Sequence, residues 1–280
     1  MRQYRIDTTE YSIQAPFNMR IAFPSDFHNG DHVRILRKIR DWKPDIILMP
    51  GDLVKGYYPK DGRLVVEHSE RILPFLRGCV QIAPTYFSYG NHECLLCEED
   101  IELLRSTGIT ILDNEWIELP ETGGQRILLG GLTSGHVISF RRFRNQSDST
   151  DRYPVRRKPH NVYELRTESK WLDDFEKEEG YKILLSHHPE YWRMREPYIA
   201  GRRIDLTLSG HAHGGQWRFF GQGILAPGQG LFPKYVRGIH QGDGPEAGKM
   251  VVSAGLNNTY WMFPRFGNPC ELIFIELNNN

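Results

Sequence analysis

Cysteine is scarce: four residues, Cys79, Cys94, Cys97 and Cys270, in a chain of 280 exclude a scaffold built on disulfides. Long apolar runs are missing as well. None approaches the ~20 residues that cross a bilayer, and the opening stretch MRQYRIDTTEYSIQAPF lacks the apolar centre of a secretory signal. Neither sign of charge prevails. Lys plus Arg and Asp plus Glu both total 35, so no global field attracts nucleic acid or an anionic membrane, and any attraction for anions is local. No linker rich in Pro, Ser or Gly divides the chain, and one domain spanning 1–280 is expected. There is no P-loop and no GxSxG elbow. GQGILA from Gly221 fits a nucleotide-binding GxGxxA only formally, because Pro227 follows it in place of a helix. The expectation is a soluble cytoplasmic protein, in which the sequons at Asn145 and Asn257 carry little weight.

Hydrophobic residues make up 39% of the chain and charged residues 25%, enough apolar material for one large core or two small ones. Short apolar runs read as buried strands: MRIAFP from Met19, DIILMP from Asp45, PTYFSY from Pro84, RILLGG from Arg126, KILLS from Lys182 and IDLTLS from Ile204. Helical spacing lies between them, with Val33, Ile35, Leu36 and Ile39 on one helix and Ile72, Leu73 and Leu76 on the next. Two further helices are expected over Glu98 to Arg105 and Ser169 to Lys177. Strand and helix alternate in the first half while the second half is richer in strands, which fits a mixed sandwich of sheets flanked by helices.

The residues that follow the strands carry more information than the strands. After MRIAFP come Asp26 and His28; after DIILMP, Gly51 and Asp52; after PTYFSY, Gly90, Asn91, His92 and Glu93; after KILLS, His187 and His188; after IDLTLS, Gly210, His211 and His213. Five strands thus deliver Asp, Asn or His at their carboxyl ends, the edge where loops converge on a ligand in α/β sheets. Asp26 and His28 are two apart, as are His211 and His213, and extended backbone would project each pair to one side. Gly51, Gly90 and Gly210 stand directly before ligand-type residues, where the missing Cβ permits close backbone approach. Two aspartates and four histidines gathered in one place call for a cation, since buried carboxylates need partners. The set offers nitrogen and oxygen but no sulfur, which suits Mn, Fe, Zn or Mg without choosing among them.

The order DxH, GD, GNHE, HxP and GHxH resembles that of the calcineurin-like metallophosphoesterases, with all five blocks in sequence from Asp26 to His213. The blocks SHHP, SGHAHGGQ and PCELIFIEL look like the bacterial branch of small phosphodiesterases and UDP-diacylglucosamine pyrophosphatases. The resemblance covers nearly the whole chain and implies an α+β fold, a four-layer αββα sandwich, with a two-metal site. One metal would take Asp26, His28, Asp52 and His213, and the other Asp52, Asn91, His187 and His211, with Asp52 bridging. Of the adjacent pair, His187 is the implied ligand because it lies two residues before the proline. Mn²⁺ is the metal the family favours. The implied reaction is hydrolysis of a phosphodiester, pyrophosphate or phosphomonoester by a metal-bridging hydroxide. His92 is the candidate for hydrogen bonding to the phosphoryl group or protonating the leaving oxygen. A nuclease, or a noncatalytic member binding phosphate or a partner, is the alternative.

The expected substrate is small and phosphate-containing, nucleotide- or lipid-linked, and a lipid substrate would allow peripheral membrane association without a spanning segment. Seven basic residues between Arg141 and Lys158 suggest either a lid over a polyanion or a solvated loop, while nucleic acid is disfavoured by the zero net charge. Trp217, Phe219, Phe220 and Phe232, then Tyr260, Trp261, Phe263 and Phe266, either cover the sheet or wall an apolar part of the substrate. Cys94 and Cys97 lack a second CxxC with which to hold zinc, and they read as small residues opening a helix rather than as a redox pair.

Overall fold

The computed structural model describes residues 5–55, 59, 63–134, 165–244, 246–257 and 264–279. The basic segment Arg141 to Lys158 and the aromatic residues Tyr260, Trp261 and Phe263 lie outside the described residues. Two six-stranded sheets dominate. The strands of the first half are β1 (Ile6–Gln14), β2 (Met19–Phe23), β3 (Ile46–Met49), β4 (Thr85–Ser88), β5 (Thr110–Leu112), β6 (Glu115–Thr122) and β7 (Gln125–Leu132). Then come β8 (Tyr181–Ser186), β9 (Leu206–Ser209), the two-residue strands β10 (Arg218–Phe219), β11 (Gln222–Gly223), β12 (Leu225–Ala226) and β13 (Gly230–Leu231), β14 (Gly238–Gln241), β15 (Lys249–Val252) and β16 (Cys270–Asn278). The helices are α1 (His32–Trp42), α2 (Val65–His68), α3 (Ile72–Ile82), α4 (Glu98–Arg105) and α5 (Leu172–Phe175).

The first sheet runs β1-β16-β2-β3-β4-β5 and the second β14-β15-β9-β8-β7-β6. β2 to β5 pair in parallel, as do β7, β8, β9 and β15. Strand parity assigns each side chain to a layer. Ile21, Phe23, Ile46, Leu48, Ile273 and Ile275 from the first sheet share one buried cluster with Ile127, Leu129, Ile183, Leu185, Leu206 and Leu208 from the second, so the sheets pack face to face. The intervening residues Ala22, Ile47, Met49 and Phe274 point the other way, against α1 and α3. Leu128, Leu184 and Met250 point outward from the second sheet onto α5 and the segment 189–204. The result is the expected four-layer αββα sandwich, with a thin outer layer on the second sheet.

Helix α1 begins where the Asp31 carboxylate accepts the Arg34 amide at 3.3 Å, and its Ile35, Leu36 and Ile39 are buried. Val33 is 65% exposed, not on the core face as the spacing suggested, because it sits about 200° around the helix from Ile35. The expected helix Ser169–Lys177 shrinks to the four residues of α5: its start has no side-chain cap, and flanking amides make three-residue turns such as Lys177 N–H to Asp174 O, 3.1 Å. Among the described residues, ten strands lie outside the six anticipated runs: the three-residue β5, the two-residue β10 to β13, the nine-residue β16 that lies between β1 and β2, and four more. β1 and β6 alternate exposed polar residues at sheet edges, β14 is a four-residue edge, and β15 is a four-residue apolar run.

Candidate metal centre

Five segments meet where the carboxyl edges of the two sheets lie together. The turn after β2 carries Asp26 and His28, that after β3 Asp52, and that after β4 Asn91 and His92; β8 runs into His187, and β9 into His211 and His213. Beyond the strand ends, the first two turns stay hydrogen bonded: the amides of Asp26, His28 and Asn29 donate to the carbonyls of Gly51, Asp52 and Leu53. The amide of Gly210 donates to His187 O at 3.0 Å, tying β9 to β8. The two sheets are then joined directly, because the His211 amide donates to Asp26 Oδ1 at 3.0 Å.

The paired residues do not converge through extended backbone. Asp26, His28, Asp52, His211 and His213 all have positive φ, from 39° to 64°, in the left-handed region that L-residues with bulky side chains avoid. Instead of lying on one side, His211 joins Asp52 and His187, while His213 joins Asp26 and His28. The glycines permit the crowding. A Cβ on Gly90 would stand 2.3 Å from Asp52 Oδ1, and one on Gly210 2.1 Å from Ser25 Oγ.

Three groups of candidate ligands result: Asp26, His28 and His213; His28, Asp52 and His92; and Asp52, His187 and His211. Asp52 belongs to two of them. Its Oδ2 lies 3.1 Å from His187 Nε2, 3.5 Å from His28 Nε2 and 3.8 Å from His92 Nε2. His213 Nε2 lies 3.7 Å from Asp26 Oδ1. Atoms bound to one ion at ~2.1 Å sit about 3.0–4.2 Å apart, so these separations suit a shared coordination sphere. His28 Nε2, Asp52 Oδ2, Asn91 Oδ1, His187 Nε2 and His211 Nε2 are buried and make no hydrogen bond, on residues between 0 and 4% exposed. Buried polar atoms without partners are costly, and a cation facing all five would remove the cost. The residues therefore fit a divalent metal.

The surroundings present these atoms as ligands. Nδ1 of His28 lies 2.7 Å from Val54 O and Nδ1 of His187 2.9 Å from Pro50 O, so each ring donates there and turns Nε2 toward the ligand group, where His28 offers a lone pair and His187 offers one once its second proton leaves. Burial lowers His28 to about 3 and holds His211 and His213 well below the usual histidine range, the latter helped by the Arg265 guanidinium 3.3 Å from its Nδ1. Burial would raise Asp52, but the facing His187 and His92 hold it well below the usual carboxylate range. Burial would likewise lower His187, but Asp52, and then Asp26 and Glu93, raise it to about 9.

Sequence reasoning passed over Glu93. Its carboxylate is fully buried and accepts the amides of Asp52 (2.9 Å), Leu53 (2.7 Å), Val54 (3.4 Å) and Gly90 (2.7 Å). It clamps the turn that carries Asp52 to the turn that carries Asn91, and the His92 amide completes the contact at Asp52 Oδ1, 2.9 Å. The clue lay in the sequence, as an acid inside an otherwise apolar and ligand-bearing turn. Arg265 and Asn268 were also passed over; Asn268 donates to the carbonyls of His213 (2.7 Å) and Gln216 (3.2 Å) and fixes the last ligand turn. His188, beside His187, is buried against Tyr191 and His211, with ring centroids 5.4 and 4.2 Å away. Cys97 opens α4, its amide and thiol both directed at Asp100, and burial pushes the thiol up to about 12, the reverse of a reactive redox cysteine.

The chain belongs to the calcineurin-like phosphoesterase family, whose model it matches over residues 19–215. That family comprises metal-dependent phosphoesterases, and the matched span contains every candidate ligand above. A Caenorhabditis elegans protein named as a metallophosphoesterase is 28% identical over 93% of this chain and 48% of its own length. An uncharacterized metallophosphoesterase of Helicobacter pylori is 26% identical over 97% of this chain and 63% of its own, and one from Aquifex aeolicus 27% identical over 80% and 74%. The chain thus spans about half to two-thirds of the length of the first two relatives.

Two outcomes are expected. Glu93→Gln turns amide hydrogens toward amides, so unfolding in urea should show a loss of about 2–4 kcal/mol, and metal affinity should fall roughly 10–100-fold; an unchanged affinity would contradict the clamp. Metal uptake must displace the His187 proton, whose raised pKa keeps it bound below about 9. Calorimetric titration at pH 8 should therefore show release of about one proton per chain, read from buffers of differing ionisation heat, and affinity should fall as pH falls. Heat independent of the buffer would refute this.

Proposed function

We propose that the chain is a binuclear metal-dependent phosphoesterase, with Asp26, His28, Asp52 and His213 at one ion, Asp52, Asn91, His187 and His211 at the other, and all of 1–280 forming one catalytic unit. The observation that carries this reading is Asp52, a buried carboxylate shared by two groups of ligand atoms that come from both sheets. Bound there, two divalent cations, Mn²⁺ by preference, would acidify a water, clamp phosphoryl oxygens and neutralise charge during in-line displacement at a phosphodiester, pyrophosphate or phosphomonoester. Asn91 adds a neutral ligand, so only two carboxylates offset the cations and the site stays attractive to phosphate. The four cysteines are free thiols, which agrees with a cytoplasmic setting. Among the described residues no helix is long and apolar enough to cross a membrane.

His92 sits at the mouth, its side chain 13% exposed and its ring 4.6 Å from that of His28. Burial lowers its pKa, partly offset by Asp52, which favours the neutral ring. A neutral imidazole donates one N–H hydrogen bond but is a poor proton source. His92 is therefore assigned to holding a phosphoryl oxygen rather than to protonating the leaving group.

The test is hydrolysis of a chromogenic phosphodiester and the matching monoester by chelator-stripped protein with Mn²⁺ restored. Turnover should require the metal and fall at least about hundredfold in Asp52→Asn; activity surviving in the variant would overturn the reading. His92→Ala should lower kcat roughly hundredfold with metal content unchanged, and by the same factor for nitrophenyl and alkyl leaving groups. A much larger loss for the alkyl ester would return His92 to the role of general acid.

A further inference from the structure

The described residues include ten large apolar side chains that are well exposed, and six of them, Trp217, Phe219, Phe220, Leu225, Leu231 and Phe232, fall within residues 217–232. Exposed apolar residues are ordinary when scattered, whereas a contiguous group marks an interaction surface. Here they are held together: residues 217–232 form the small ribbons β10–β11 and β12–β13, the Ile224 amide donates to Trp217 O at 2.8 Å and the Phe232 amide to Ile224 O at 2.9 Å, and Phe266, also exposed, lays its ring 5.3 Å from that of Phe219. The Arg218 amide donates to Phe266 O at 2.9 Å, fastening the two segments together. Phe220 stands fully exposed at the tip, with φ 49° followed by Gly221 at φ 83°. A bulky aromatic residue in that conformation is strained, and at this exposure it gains no packing among the described residues in return.

Charge identifies the occupant. Asp and Glu number 35 in 280 residues, one in eight, yet none occurs from Gly210 to Gly242, a stretch that carries Arg218, Lys234 and Arg237. Arg237 is spoken for by the buried Glu271, while among the described residues the Arg218 side chain donates to the carbonyls of Gly214 and Gly221, not to a carboxylate, at the foot of the ribbon. Lys234 lies over the Tyr235 ring. An aromatic rim with cations behind it and no carboxylate in its own segment complements an anionic bilayer surface, where aromatic rings settle at headgroup depth and each nearby cation adds attraction. A second copy of the chain would bring the same cations face to face.

We propose that the aromatic ribbon Trp217–Phe232 is an interfacial anchor that docks the protein on an anionic phospholipid surface. Gly214, Gly215 and Gln216 link the ribbon to His213, and Asn268 fixes both ends of that link, so docking would hold the metal centre beside the headgroups. The inference stands apart from the hydrolytic reading, because vesicle binding reads the surface whether or not any ester is cleaved.

The test is co-sedimentation of the metal-loaded full chain with vesicles of phosphatidylcholine alone or mixed with phosphatidylglycerol. The protein should pellet with the mixed vesicles, less so at high salt, and Phe220→Ser with Phe232→Ser should weaken partitioning at least about tenfold. Both residues are exposed, so thermal melting and turnover of a water-soluble diester should stay within about twofold of wild type. Wild-type protein that stays in the supernatant overturns the proposal. So does concentration-dependent dimerisation that the same double variant abolishes, which would make a second copy the occupant.

Discussion

A carboxylate placed out of water must be surrounded by donors or cations, and the turns of this protein are arranged around that demand at Asp52. It is 1% exposed, faces three imidazoles through Oδ2 and takes the His92 amide at Oδ1. Its neighbour Glu93, equally buried, has both oxygens occupied by four backbone amides, an arrangement that favours the ionised acid although burial and Asp52 push its carboxyl up to about 7. Two negative groups this close would repel one another without added positive charge. The unpartnered atoms of Asn91, His187 and His211 point to the same remedy, so the electrostatics and the hydrogen-bond inventory call for metal independently.

The sandwich explains why such a site can be rigid. Three of the five ligand turns leave the first sheet and two leave the second, and the sheets share a core in which Ile21, Leu48, Ile183 and Leu208 interdigitate. Neither sheet could hold the ligand set alone. Left-handed backbone at five candidate ligands costs of order 1–3 kcal/mol each, and only a surrounding structure that over-determines those turns can sustain it. The Asp26 to His211 hydrogen bond, the Glu93 clamp and the Asn268 contacts to the last turn supply that determination.

Much of this was legible in the sequence for a plain reason. Strands buried on both faces are uninterrupted apolar runs, so β2, β3, β4, β8 and β9 announce themselves, and the ligand-type residues directly after them mark one edge. Edge strands β1 and β6 carry Thr, Glu and Gln toward solvent and show no such run. The marginal helix α5 failed for lack of a cap, which apolar spacing does not reveal. At the site, residue identity was readable but conformation was not. The spacing of His211 and His213 suggested a common side, yet the left-handed turns send them to different groups. Glu93 stands out in sequence as an acid in that turn but not as a clamp, because three of its four partners are backbone amides 39 to 41 residues away, and amides leave no trace in a pattern of side chains.

The cysteine pair and the aromatic ribbon separate two kinds of conspicuous residue. Cys97 attracts notice as part of CxxC, but its burial and its contacts to Asp100 account for it fully as the opening of α4. Phe220 and Phe232 belong to no core cluster among the described residues, both are well exposed, and Phe220 occupies a conformation that favours glycine. A residue satisfied by its own structure requires no further role. One that adds strain and exposed apolar surface, on the same loop as a candidate metal ligand, has its physical explanation outside the chain.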